Sequence, residues 1–144
     1  MRFAMARTNV FAVIDTNVIV SALLSRNNKE SSTSRVFEAI LDGIITPLYN
    51  EEILEEYKQV LGRNKFPFHK EDVDMVEYLM TNIGLKLDRT TSFEGVFPDP
   101  KDVVFYEVTL SKDDAYLVTG NIKHFPKKPF VITPAEMVAI LGSI

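Results

Sequence analysis

Five short apolar runs recur along the chain: VFAVI at 10–14, IITPLY at 44–49, GLKLD at 84–88, AYLVTG at 115–120 and PFVIT at 129–133. Helical patterns lie between and after them, at about 18–25, 34–42, 51–62, 70–82, 102–111 and 134–141. An unbroken apolar run suits a strand buried on both faces, and strands alternating with helices imply a parallel sheet with both faces covered. The expected fold is therefore α/β: a three-layer α/β/α arrangement around a central parallel sheet of about five strands, Rossmann-like in plan. With 144 residues, no repeat, no low-complexity segment and no long linker, residues 1–144 read as a single domain. Residues 1–9 read as a disordered extension, and the polar stretch SRNNKESST at 25–33 as a mobile loop.

Composition narrows the chemistry. The chain has no cysteine and only two histidines, His69 and His124, which removes thiolate sites and makes an imidazole-based zinc site a poor fit. Any metal would be held by carboxylates, and hard oxygen ligands favour Mg²⁺ or Mn²⁺. The formal net charge of −4 argues against holding nucleic acid by bulk electrostatics. It leaves room for an enzyme that cuts nucleic acid, because bound divalent cations reverse the local field. No apolar run approaches the roughly 20 residues that span a bilayer. The opening MRFAMARTN lacks a long apolar core, so it does not read as a signal peptide. The expectation is a cytoplasmic protein with no membrane partner.

The first apolar run stops at Asp15. An acid there lies at the carboxyl edge of a strand, where open α/β sheets place their ligands. Asp15, Thr16 or Asn17 would also serve as the cap of the helix that follows. In the helix at 51–62, Ile53, Leu54, Tyr57, Val60 and Leu61 form a core-facing stripe. Glu55 falls opposite that stripe. Glu56 falls at its margin, where a side chain reaches along the sheet edge, and Glu51 and Glu52 suit the helix dipole. In FPDPKDVVFYEV, Asp99 reads as an N-cap with Pro100 at N1 and Asp102 at N3, a variant of the capping box. The same geometry points two carboxylates at one helix end, so capping and cation binding both stand for Asp99 and Asp102.

Together these positions say more than they do singly. If the first and fourth strands are neighbours at a switch point, Asp15, Glu56 and Asp102 gather in one crevice with the turn Thr119-Gly120-Asn121. Carboxylates that close repel one another and raise each other's pKa. A divalent cation relieves that cost.

VIDTNVIVSALL, EEILEEYKQVL, PDPKDVVFYEV and DAYLVTGNIKHF, in this order and spacing, resemble a PIN domain. More narrowly, the chain resembles bacterial PIN-family proteins described as the toxins of toxin–antitoxin systems. The resemblance runs from about Val10 to Leu141. It implies a PIN-like fold and a metal-dependent ribonuclease with one or two Mg²⁺ or Mn²⁺ ions. Asp15, Glu56 and Asp102 would be its metal-binding and catalytic acids, with Asp99 beside them. Many family members carry a fourth acid in the turn after the VTG strand. Here that position is Asn121, which can hydrogen-bond a water or ligate through its carbonyl but brings no charge.

The implied reaction is metal-assisted hydrolysis of a phosphodiester, with Glu56 as a ligand or as the group orienting the attacking water. Thr16, Asn17, Thr119 and Asn121 would support carboxylate or phosphate. Basic residues occur in LGRNKF at 61–66 and IKHFPKK at 122–128; the second follows the candidate turn, making Lys123, His124, Lys127 and Lys128 the expected RNA contacts. An antitoxin protein and a homodimer are expected partners from the resemblance. Among rivals, a dinucleotide site lacks G-x-G-x-x-G after the first strand. An aspartyl phosphatase of the haloacid dehalogenase type wants an aspartate where Asn17 stands, and a phosphorylation receiver wants an acidic pair and a late lysine. The remaining alternative is a PIN-like protein- or RNA-binding module without catalysis.

Overall fold

The structure is a computed structural model and describes residues 9–143. Apart from Asn9, the segment expected as a disordered extension lies outside the described residues. Strands β1 (Val10–Ile14), β2 (Ile45–Tyr49), β3 (Leu85–Lys86), β4 (Tyr116–Val118) and β5 (Val131–Ile132) form one sheet in the order β3-β2-β1-β4-β5. Every pairing is parallel. Among the described residues, six α-helices pack around it: α1 (Thr16–Leu24), α2 (Ser32–Leu41), α3 (Glu51–Leu61), α4 (Lys70–Ile83), α5 (Val103–Leu110) and α6 (Pro134–Gly142). The α/β architecture with a five-stranded parallel sheet is the one the alternating apolar runs imply. Among the described residues, no helix is long and apolar enough to cross a membrane.

Burial along the strands explains the unbroken apolar runs. In β1, four of the five residues are buried and Phe11 is half-buried, so side chains of both parities meet a helix layer. Pro47 is tolerated inside β2 because its carbonyl points toward Gly84, and β3 begins only at the pair Leu48–Leu85. The missing N–H therefore removes no ladder bond on that side. The largest fully buried side chains include Tyr57, Tyr106, Phe105 and Ile14. Tyr57 of α3 meets Phe105 of α5 with ring centroids 6.3 Å apart, so the helices bearing Glu56 and following Asp102 are in direct contact.

The polar stretch at 25–33 is a loop through Ser31, and its last two residues open α2. The Ser25 hydroxyl donates to the Ser21 carbonyl at 2.7 Å, and the Ser34 hydroxyl donates to the Ser25 carbonyl at 3.0 Å. Ser31 caps α2 by accepting from Ser34 N–H at 3.1 Å. These hydroxyls satisfy the orphan backbone groups where α1 ends and α2 begins.

Candidate active site

The chain winds outward from β1 through β2 to β3, then crosses back to β4 on the other side of β1, so the strand order reverses between β1 and β4. The carboxyl end of β1 is thus the switch point at which open α/β sheets bind ligands. The register pairs Ile14 with Val118, so the next residues, Asp15 and Thr119, fall side by side. Asp15 N–H extends the ladder by donating to the Val118 carbonyl at 2.9 Å. The Tyr57 hydroxyl, buried in α3, donates to the carbonyl of Ile14, pinning the strand end just ahead of the acid.

Asp15 is only 6% exposed. One carboxylate oxygen caps α1, accepting from Thr16 N–H at 2.8 Å. The other accepts from the Thr119 hydroxyl at 2.7 Å and from the Asn17 amide at 3.0 Å. The capping and site readings of Asp15 are therefore compatible, because the two oxygens divide the work. Burial pushes its pKa up, hydrogen bonds from Thr119 and Thr16 oppose this, and the charge of Glu56 adds to the rise. The Thr119 hydroxyl also accepts from Asn121 N–H at 2.9 Å, and Asn17 accepts from Gly120 N–H at 3.0 Å. Two turns from opposite ends of the chain are thereby stitched around one carboxylate.

Glu56 stands at the half-buried margin of α3 while Glu51, Glu52 and Glu55 are exposed. The Thr16 hydroxyl donates to it at 3.3 Å. The charges of Asp15 and Glu56 both help raise the Tyr57 pKa well above its ordinary value, after burial.

At the third acidic position the local structure differs from the expected capping box. Asp99 does cap, accepting from Lys101 N–H at 3.0 Å, but the segment Pro100–Asp102 forms a 3₁₀ turn ahead of α5. The Asp102 side chain makes no cap hydrogen bond; it faces the crevice, with the His124 imidazole 3.7 Å away. Its carboxyl is pushed up to about 6, by burial first and then by the charges of Asp15 and Asp99, with Glu56 adding and His124 opposing.

Asp15, Glu56, Asp99 and Asp102 line one open crevice of about 510 Å³, together with Thr16, Asn17, Asn121 and His124. Thr119 lies beneath it, fully buried. Of the expected RNA contacts, only His124 lines this crevice. Lys123, Lys127 and Lys128 are exposed on the turn beyond it, and the basic rim is supplied instead by Arg63, Lys65 and Lys101. The sequence reading noted the 61–66 stretch but had no means of folding it over the carboxylates.

Glu107 of α5 is a further buried acid, which no motif in the sequence marks. It is 7% exposed and accepts from Phe93 N–H at 2.6 Å and from the Arg89 guanidinium at 2.9 Å. Arg89 also pairs with Glu52 of α3 at 3.0 Å. The segment that delivers Asp99 is thus tied to both α5 and α3. The available signal was one glutamate inside the otherwise apolar VVFYEVTL.

Among the described residues, no three acidic or imidazole side chains converge closely enough to make a ready-formed metal cage. The donor set still fits a hard cation. Mg²⁺ keeps several waters and is commonly bound through only one or two carboxylates. Asp15 and Asp102 are both raised by burial and by neighbouring negative charge, a strain that a cation between them removes. No curated protein matches the chain. A family model described as PIN domain matches residues 12–123, a span that contains all four crevice acids and Asn121. The chain belongs to the PIN domain family, whose members are typically nucleases and usually bind a divalent metal.

Proposed function

We propose that the chain is a metal-dependent endoribonuclease, the toxin of a toxin–antitoxin pair, acting at the crevice that ends β1 and β4. The observation that carries this reading is the gathering of Asp15, Glu56, Asp99 and Asp102 at the switch point, with burial and like charge raising the pKa of Asp15 and pushing that of Asp102 up to about 6. Asp15 and Asp102 would hold Mg²⁺ or Mn²⁺, with Asp99 as a further ligand. When bound, such an ion polarises the phosphate and lowers the pKa of a nearby water. Glu56, oriented by the Thr16 hydroxyl, receives the proton of the attacking water or ligates directly. Thr119 and Asn17 fix the Asp15 carboxylate so that it meets the ion without reorganising. Water oxygen bonds to phosphorus, the phosphorus–O3′ bond breaks, and O3′ takes a proton, leaving 5′-phosphate and 3′-hydroxyl ends.

In this reading a small antitoxin protein occludes the crevice, the chain pairs with a second copy, and both act in the cytoplasm. The alternative, a PIN-like binding module without catalysis, draws on Asn121, which places an amide at the crevice where a fourth charge would otherwise help hold an ion.

The test is cleavage of labelled single-stranded RNA by the folded chain in Mn²⁺ or Mg²⁺, with EDTA as control. Metal-dependent products with 5′-phosphate ends are expected. Products ending in 2′,3′-cyclic phosphate would mean attack by the RNA's own hydroxyl and contradict the carboxylate mechanism. No cleavage across several RNAs would favour the binding module.

A further inference from the structure

The wall of the crevice beyond Glu56 differs in chemistry from its floor. Glu56 and Val60 are one helical turn apart on α3, and Arg63 follows a turn later, just past the helix end. Lys65 and Phe66 complete this wall. Phe66 is half-buried and stacks on Phe68, ring centroids 5.4 Å apart at 23°. The Lys65 ammonium lies 5.1 Å from the Phe66 ring centroid. Neither Arg63 nor Lys65 has an acidic partner among the described residues (every ion pair uses other cations). A half-buried aromatic ring and two cations without acidic partners therefore stand beside a floor of four acids.

Given the reading of that floor as a ribonuclease centre, we infer that Phe66 is the stacking platform for an unpaired base next to the scissile phosphate, with Arg63 and Lys65 holding the flanking phosphates. Aromatic rings beside a basic track are how proteins hold single strands without reading sequence, because every base offers a π face. A duplex keeps its base faces covered by stacking and offers none to Phe66. Charge complementarity selects nucleic acid over an acidic floor alone: the floor repels phosphate without a cation, whereas Arg63 and Lys65 attract it. The axial rise of about 7.5 Å from Glu56 to the end of α3 at Leu61, with Arg63, Lys65 and Phe66 beyond it, sets these side chains to one side of the reacting phosphate. The contact between Lys65 and Phe66 is an exposed and weak cation–π pair, so an incoming base displaces it readily.

The experiment is fluorescence anisotropy of the full chain with labelled oligoadenylate, oligouridylate and a paired hairpin, in Ca²⁺, across a salt series. Phe66→Leu, which keeps an apolar contact with Phe68, is expected to weaken single-strand binding about tenfold with an unchanged salt slope. Phe66→Trp restores it. Arg63→Gln should instead lower the slope of log K against log salt by about 0.7. Circular dichroism confirms that each variant is folded. Wild-type affinity in Phe66→Leu, or equal wild-type affinity for strand and hairpin, overturns the inference; the first result would mark the loop as an edge for a protein partner instead. The two readings separate in the cleavage assay. Cleavage by wild type with Phe66→Leu unaffected in binding sinks only the platform. Absent cleavage with binding lost in Phe66→Leu sinks only the nuclease.

Discussion

Asp15→Asn is expected to abolish metal-dependent RNA cleavage while leaving the fold intact. Loss of a charged ligand removes several kcal/mol of transition-state stabilisation, about a thousandfold or more in rate. The fold should survive for a specific reason. Asparagine caps helices as well as aspartate, so the oxygen that accepts from Thr16 N–H is kept. At the other position an amide nitrogen replaces the oxygen that accepts from Thr119 and Asn17. Both hydrogen bonds accepted there are lost, although the Thr119 hydroxyl can turn to accept from the new amide, and the cost of a buried, repelled charge is relieved at the same time. The two effects oppose each other, and the net change in stability should stay within about 1 kcal/mol. Cleavage rate and urea midpoint, measured on the same preparation, check both halves. A variant that unfolds, or one that cuts as fast as wild type, contradicts this role for Asp15.

The second large effect concerns pH in the absence of metal. Asp102 has a folded pKa of about 6 against an ordinary 3.8. Between those values the folded state binds more protons than the unfolded state, so this group lowers stability as pH rises from about 4 to 6 and changes nothing further above that. The shift corresponds to about 3 kcal/mol at neutral pH, and solvent screening of this partly exposed carboxyl brings the destabilisation to on the order of 2 kcal/mol. Asp15 pulls in the same direction. Asp72, lowered by the hydrogen bond from Arg26, has the opposite sign and loses its contribution as pH falls, so a single profile mixes the two. The difference between wild type and Asp102→Asn isolates the crevice. In EDTA, Asp102→Asn should be the more stable protein at pH 7.5, and the gap should close by pH 4. A constant gap across that range would mean that Asp102 is not held under electrostatic strain.

The fold was legible because β1 and β2 are buried on both faces while α2, α3 and α4 each keep a polar side. Period and run length report those facts directly. Asp15 and Glu56 were legible for related reasons: one interrupts an apolar run at a strand end, and the other breaks the margin of an apolar stripe. The local form around Asp102 was not, because an N-cap with proline at N1 suits either a capping box or the 3₁₀ turn observed. Which one forms depends on the pull of the segment before it, where Phe97 packs against Phe93, Tyr106 and Phe125. The basic rim was hidden for the same reason. Arg63 and Lys101 are far apart in sequence, and only the contact of α3 with α5 through Tyr57 and Phe105 brings their ends to one crevice. Lys123, Lys127 and Lys128 follow the active turn in sequence and are exposed beyond the residues that line the crevice.

The most direct measurement is a calorimetric titration of Mn²⁺ into the metal-free chain at pH 7.5, with Asp102→Asn alongside. Wild type should bind one or two ions saturably, with affinity strongly reduced in the variant. No binding by wild type, or the same binding by both proteins, would contradict a metal centre built on these carboxylates.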